Sequence, residues 1–122
     1  MRKIYYLGTC STCAEIFKKT GISLHDPRFI MQDIKTDKIT SKQLAEMKNL
    51  AGSYEALFSR RALKYKELGL KDKSPGEKDY RQFILDEYTF LKRPVVILGN
   101  TIFIGSEKKI VEALGKAVLG IK

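Results

Sequence analysis

The chain has two cysteines, Cys10 and Cys13, in the run Leu7-Gly8-Thr9-Cys10-Ser11-Thr12-Cys13. Thiols at this spacing can form a redox couple, half of a metal site, a lipid-attachment signal or two small buried side chains. A structural zinc site takes four Cys or His ligands, and beside the cysteines the chain offers one histidine, His25. No complete metal site within one chain is therefore expected. His25 adjoins Asp26-Pro27 in an expected loop and is given no catalytic part. A lipoprotein signal needs a sustained apolar stretch, whereas Arg2-Lys3 are followed only by Ile4 to Leu7 before the chain turns polar.

The elements around the pair give the redox reading its physical basis. Ile4-Tyr5-Tyr6-Leu7 reads as a short strand ended by Gly8. A helix is expected from Ser11 or Thr12 to Gly21, with Cys13, Ile16 and Phe17 on one face. Cys10 then lies at a helix N-terminus, where unpaired backbone N–H groups and the positive end of the dipole stabilise a thiolate. Cys13 follows by nearly one turn, so its sulfur can reach Cys10 without unwinding the helix. Cys10 is the expected nucleophile and Cys13 its resolving partner. The same amides at Ser11 and Thr12 can hold an oxyanion. A lone cysteine is usually a small buried hydrophobe, but a pair at a strand-to-helix junction favours redox chemistry.

Further along, Phe29 to Met31 and Ile34 suggest a second strand, which completes a β-α-β unit. Thr40 and Gln43 form a capping box, with Ile39 stapling on Leu44, for a helix ending at Gly52. Short helical turns follow through Tyr54, Leu57 and Phe58, and through Leu63, Tyr65 and Leu68. Ser74-Pro75-Gly76-Glu77 reads as a second capping box, with proline at the first helical position. Behind it, Tyr80, Phe83, Ile84, Tyr88 and Leu91 form one helical stripe. Val95 to Leu98 and Thr101 to Ile104 flank Gly99-Asn100 as a hairpin. Ser106 is the expected cap of a last helix whose Ile110, Val111, Leu114 and Val118 face inward. The outline is α/β: β-α-β, a helical insertion, then β-β-α. One domain over 1–122 is expected, with a core of about 1–36 and 91–119 and an insertion of about 37–90.

A length of 122 residues with 43% hydrophobic and 30% charged side chains is ordinary for one globular domain. The longest apolar runs, such as Val95-Val96-Ile97-Leu98, are too short to span a bilayer, so no membrane association is expected. A cytoplasmic location follows, where a permanent structural disulfide is rare. The net charge of +9 can attract nucleic acid, acidic proteins or small anions. Its lysines, however, are scattered, as in Lys18-Lys19, Lys64, Lys66 and Lys108-Lys109, and read as solvated helix faces. Without a zinc-finger, helix-turn-helix or RNA-binding aromatic signature, no direct nucleic-acid partner is expected.

A β-α-β then β-β-α order with Cys-x-x-Cys after the first strand resembles the thioredoxin-like arrangement. Three stretches narrow this: "CSTC" at 10–13, "LFSRRALKYKELGL" at 57–70 and "FLKRPVVILGNTIFIG" at 90–105. Together, over about Lys3 to Leu114, they resemble the arsenate reductase/Spx-like (ArsC-like) family. The resemblance implies a glutaredoxin-type fold with a mixed four-stranded sheet and a helical insertion. It implies Cys10 as nucleophile and Cys13 as the cysteine that forms a disulfide with it. It also implies oxyanion-binding roles for Arg93 and for Arg61, with Arg60 a close competitor, and a cis-proline at Pro94.

Arginine suits these positions, because its delocalised charge and forked N–H donors match an oxyanion. Arg93 precedes a strand whose hairpin partner is expected beside the first strand. Read without the resemblance, Arg60 and Arg61 are solvated surface charges, and Arg93 stands evenly between surface and site. The chain departs from the family in having Gly8 where a proline is common two residues before the nucleophile. Glutaredoxin-dependent arsenate reductases of the family also carry a third arginine near the last strand, where this chain has Ile102-Phe103-Ile104-Gly105, and they lack a resolving cysteine.

The resulting expectation is an arsenate-reductase-like thiol-disulfide oxidoreductase. It binds no metal or prosthetic group, and glutathione/glutaredoxin or thioredoxin serves as reducing co-substrate. The alternative is an Spx-like redox-sensing regulator whose partner is RNA polymerase. A scaffold that binds phosphate or sulfate without turnover is the third reading.

Overall fold

The computed structural model describes residues 1–121. The chain divides into two compact units: residues 1–37 with the chain from Arg93 onward, and Lys38–Lys92.

The first unit is built on a four-stranded sheet in the order β2-β1-β3-β4. Its strands are β1 (Arg2–Tyr6), β2 (Ile30–Asp33), β3 (Val95–Leu98) and β4 (Thr101–Ile104). β1 pairs parallel with β2, matching Tyr6 with Asp33, and antiparallel with β3, matching Tyr5 with Val95. β3 and β4 form the expected hairpin, closed at Gly99, whose φ of 62° lies in the left-handed region that glycine adopts freely. The sheet is thus mixed, and the architecture is α/β.

Helices α1 (Ser11–Thr20) and α5 (Lys108–Leu119) pack together over one sheet face. Cys13, Ile16 and Phe17 of α1 join Leu114 and Val118 of α5 against Ile4 and Val96. Strand alternation sends Tyr5, Val95 and Ile97 to the opposite face, where they are also buried.

The strand order corrects one expectation. β3 itself, and not its hairpin partner, lies beside β1. Val95, Val96 and Ile97 are all fully buried, as an inner strand requires, whereas β4 opens on exposed Thr101 and forms the edge. The last helix also begins later than expected. Its first bond runs from Val111 N–H to the Glu107 carbonyl, so Glu107 and not Ser106 is the N-cap. Of its inward stripe, Leu114 and Val118 are buried, and Ile110 and Val111 are half-buried.

The second unit holds α2 (Ser41–Ala51), α3 (Leu63–Glu67), α4 (Glu77–Asp86) and 3-10 turns at Glu55–Leu57, Leu70–Asp72 and Tyr88–Phe90. α2 has the expected capping box: Gln43 N–H donates to Thr40 Oγ1, and Thr40 N–H donates to Gln43 Oε1, both at 3.1 Å. Phe58 is fully buried between Tyr80, at 4.8 Å between centroids, and Phe90, stacked at 4.9 Å.

The second capping box does not form. α4 starts behind Gly76, whose N–H donates to Asp79 Oδ2 at 2.8 Å, and Pro75 lies outside the helix. Glu77 is engaged elsewhere: its two carboxylate oxygens accept from Tyr54 N–H and Glu55 N–H at 2.8 and 3.1 Å. The helical stripe also stops short. Glu87 is extended and ends α4, so Tyr88 lies in a 3-10 turn and Leu91 bridges to Phe58.

Candidate active site

The loop between β1 and α1 carries both thiols. Cys10 is the N-cap of α1, with extended backbone, and its carbonyl accepts the first helical bond from Ala14 N–H at 3.2 Å. Because N-terminal N–H groups of a helix lack intrahelical partners, they are available to the sulfur that sits at the cap. Thr12 and Cys13 backbone N–H groups both hydrogen-bond the Cys10 sulfur. Cys13 lies in the first turn, buried among the core residues between α1, α5 and the sheet. Both cysteines are free thiols.

The two thiols are driven in opposite directions. Burial works to raise the Cys10 thiol. The hydrogen bonds from Cys13 N–H, the Cys13 thiol and Thr12 N–H outweigh it, with help from the charge of Arg93, and hold Cys10 below the ordinary thiol value. Cys13 is pushed up to about 12, first by burial and then by the charge and hydrogen bond of Cys10, against the opposing pull of Leu7 N–H and Arg93. One thiol is thereby ready to ionise, and its neighbour stays protonated as a donor to it. This division matches a nucleophile and a reserve thiol.

Arg93 comes from the segment just ahead of β3. The antiparallel register of β3 on β1 brings that segment to the sheet end from which the Cys10 loop departs. Its charge lowers both thiols, and it is half-buried. Pro94 follows in a cis peptide, is buried, and its carbonyl accepts from Gly105 N–H at 3.0 Å. Gly8 is exposed, and its N–H donates to Asp33 Oδ2 at 3.2 Å. Ser11 and Thr12, the first two residues of α1, are exposed.

Cys10, Cys13 and Arg93 therefore share one electrostatic environment within the first unit, together with the Thr12 amide. Arg60 and Arg61 belong to the second unit. Arg60 is engaged there: its Nη2 donates to Glu55 Oε2 at 2.8 Å and to Tyr80 Oη at 3.2 Å. Arg61 is exposed, and its backbone N–H donates to Ser59 Oγ at 3.3 Å. His25 lies exposed in the α1–β2 connection. Among the described residues no group of three or more His, Cys, Asp or Glu side chains is placed to hold a metal ion. No helix of the described residues is long and apolar enough to cross a membrane.

Two partners of the loop had no signal in the residue pattern. Asp33 reaches Gly8 across 25 positions of sequence, and Leu7 N–H meets the Cys13 sulfur through the turn that also closes Cys10 N–H on the Leu7 carbonyl at 3.0 Å.

The family model described as "ArsC family" matches residues 5–114. The chain belongs to the ArsC family. Its fold is the thioredoxin-like fold of that family's solved structures. An ArsC family related protein of Bacteroides fragilis superposes with a TM-score of 0.73 at 22% identity, covering 93% of this chain and 96% of that one. An arsenate reductase of Vibrio cholerae superposes with a TM-score of 0.70 at 17% identity, covering 94% and 95%. An arsenate reductase related protein of Brucella melitensis gives 0.66 at 19% identity, covering 92% of each chain. No curated protein matches the chain significantly. Within this ArsC family member, the loop from Gly8 to Cys13 is the candidate active site.

Proposed function

We propose that the protein is a thiol-disulfide oxidoreductase of the arsenate-reductase type, with Cys10 as nucleophile and Cys13 as resolving thiol. The observation that carries this reading is the opposite displacement of two thiols one helical turn apart, with Cys10 lowered and Cys13 raised. Membership of the ArsC family and likeness to an arsenate reductase support arsenate as the substrate.

In this reading the Cys10 thiolate attacks arsenic(V), forming an S–As bond while one arsenate oxygen leaves as water. Cys13, as thiolate, then attacks Cys10 Sγ. The S–As electron pair remains on arsenic, which departs as arsenic(III), and the two thiols have supplied two electrons as a disulfide. A small dithiol protein of the thioredoxin or glutaredoxin type, or glutathione, restores the dithiol.

The raised thiol of Cys13 fits this order. Once Cys10 is bonded to arsenic, it no longer presents a negative charge or accepts a hydrogen bond. Burial is then opposed by Leu7 N–H and Arg93 alone, so the resolving thiol ionises more readily after the first step than before it. Arg93 serves as the anion's forked donor at the loop.

The test is steady-state arsenate reduction with thioredoxin or glutathione/glutaredoxin as electron source. Cys10→Ser is expected to abolish turnover. Cys13→Ser should stop the cycle at a Cys10 adduct that mass spectrometry detects and added thiol releases. Undiminished turnover by Cys10→Ser sinks the mechanism.

A further inference from the structure

The peptide joining Leu7 to Gly8 is held at both of its polar groups. Its carbonyl oxygen, on Leu7, accepts from Cys10 N–H at 3.0 Å. Its N–H, on Gly8, donates to Asp33 Oδ2 at 3.2 Å. A peptide unit is planar and rigid, so fixing the direction of its N–H also fixes the direction of its carbonyl. An N–H that meets any hydrogen-bond acceptor, charged or neutral, further polarises the carbonyl of the same unit and strengthens the bond that carbonyl accepts.

Asp33 is itself well anchored. It ends β2, opposite Tyr6 in the parallel ladder, and the next residue continues that ladder through Ile34 N–H to the Tyr6 carbonyl at 2.9 Å. Its second oxygen, Oδ1, accepts from Lys35 N–H at 3.0 Å, and its main-chain carbonyl accepts from Asp37 N–H at 2.8 Å. The carboxylate is a fixed post at the sheet end rather than a swinging surface group. Gly8 fits this post closely: a Cβ there would stand 2.7 Å from Asp33 Oδ2. The requirement is one of clearance: with a Cβ at position 8 the Asp33 carboxylate must shift from its present place, which strains its bond to Gly8 N–H.

We propose that Asp33 is a positioning residue for the Cys10 thiol: by holding Gly8 N–H it orients the Leu7–Gly8 peptide, whose carbonyl holds Cys10 N–H. The inference rests on Cys10 being the reactive thiol. The groups that act directly on that sulfur are Cys13, the Thr12 amide and Arg93. The charged or titratable group that Asp33 faces directly is Tyr6, whose phenol is raised first by burial and then by the Asp33 charge. Asp33 therefore works on Cys10 through the shared peptide and not through its charge.

The experiment is the pH dependence of alkylation at Cys10, followed by mass spectrometry on the full chain, for the unaltered protein, Asp33→Ala, Asp33→Asn and Gly8→Ala. Asp33→Ala releases the peptide and should raise the midpoint by about half a pH unit, a roughly threefold slower reaction at neutral pH. Asp33→Asn keeps a carbonyl oxygen to accept from Gly8 N–H and should restore the original midpoint. Gly8→Ala, which leaves Asp33 in place but crowds it, should move the midpoint as Asp33→Ala does.

A carboxylate that merely closes a loop leaves all four midpoints equal, and that result overturns the proposal. So does Asp33→Asn behaving like Asp33→Ala, which assigns the effect to charge. An ordinary thiol midpoint in the unaltered protein defeats instead the reading of Cys10 as the activated thiol, so the two failures are distinct. If Asp33→Ala loses its fold by circular dichroism, the Asp33→Asn and Gly8→Ala pair still decides. The proposal then stands on a raised midpoint in Gly8→Ala with an unmoved one in Asp33→Asn, and any other pattern overturns it.

Discussion

Arg60 Nη2 lies 2.8 Å from Glu55 Oε2, and the same guanidinium donates to the Tyr80 hydroxyl and sits 5.9 Å from that ring's centroid. The Glu55 hydrogen bond leads the effects that raise this guanidinium above its usual value. Arg61, next in sequence, enters no ion pair among the described residues. Two adjacent arginines that look equivalent in sequence are thus different: one is held by Glu55 and Tyr80 of its own unit, and the other enters no ion pair among the described residues.

This difference predicts separable phenotypes. Arg60→Ala should cost at most about 1 kcal/mol in urea unfolding, because both partners are half-exposed and screened by water. Arg61→Ala should leave stability within about 0.5 kcal/mol, because Arg61 enters no ion pair among the described residues. A larger loss of stability in Arg61→Ala than in Arg60→Ala rejects the distinction.

Asp26 predicts a pH-dependent stability. Arg28 grips it with a fork, Nε to Oδ1 at 2.9 Å and Nη2 to Oδ2 at 2.8 Å, and Ser23 N–H and Arg28 N–H also donate to it. The Arg28 side-chain bonds, ahead of the opposing effect of burial, hold the buried carboxyl well below the carboxylate range. A carboxyl depressed in the folded state stabilises fully above its unfolded value near about 4, and that contribution fades as pH falls toward the folded value. Asp26→Asn should therefore be less stable than the unaltered protein by about 1–3 kcal/mol at pH 7. The gap should narrow steadily below about pH 4. Urea unfolding of both proteins across that range checks it, and a gap independent of pH rejects the linkage.

What the sequence disclosed depended on how far each determinant reaches along the chain. Gly21 at the end of α1, and Thr40 with Gln43 at the start of α2, act within one turn, and each was legible. Cys10 at the cap of α1 was legible for the same reason. Ser74 with Glu77 has the same local pattern, but Tyr54 and Glu55 recruit the Glu77 carboxylate from more than twenty positions away, as their 2.8 and 3.1 Å bonds record. The Asp33–Gly8 bond gave no warning for the same reason of distance. The placing of β3 inside the sheet was available in principle. Val95-Val96-Ile97-Leu98 is an unbroken apolar run suited to burial on both faces, whereas the hairpin signal alone pairs two strands without saying which is inner.

Phe58 should be the most sensitive position of the second unit. It is fully buried, with Tyr65, Tyr80, Phe83 and Phe90 around it. Phe58→Ala removes the central ring and should cost about 3–5 kcal/mol, and Phe58→Leu, which keeps most of the volume, clearly less. Thermal unfolding of the two variants checks the order.

Cys13 gives the sharpest chemical prediction. Its thiol stands at about 12 because burial is reinforced by the charge and hydrogen bond of Cys10. Cys10→Ala removes both reinforcements and leaves burial opposed by Leu7 N–H and Arg93. The Cys13 thiol in that variant should therefore titrate below its value in the unaltered protein, followed by thiolate absorbance in the ultraviolet. Arg93→Ala in the same background removes one of the two lowering influences and should carry the titration back up. The reciprocal variant completes the cycle: Cys13→Ala deprives Cys10 of a thiol donor and should raise the Cys10 midpoint in alkylation. If Cys13 titrates at the same pH with and without Cys10, the two sulfurs are uncoupled. The resolving thiol would then gain nothing from the loss of charge on its neighbour when the substrate is captured.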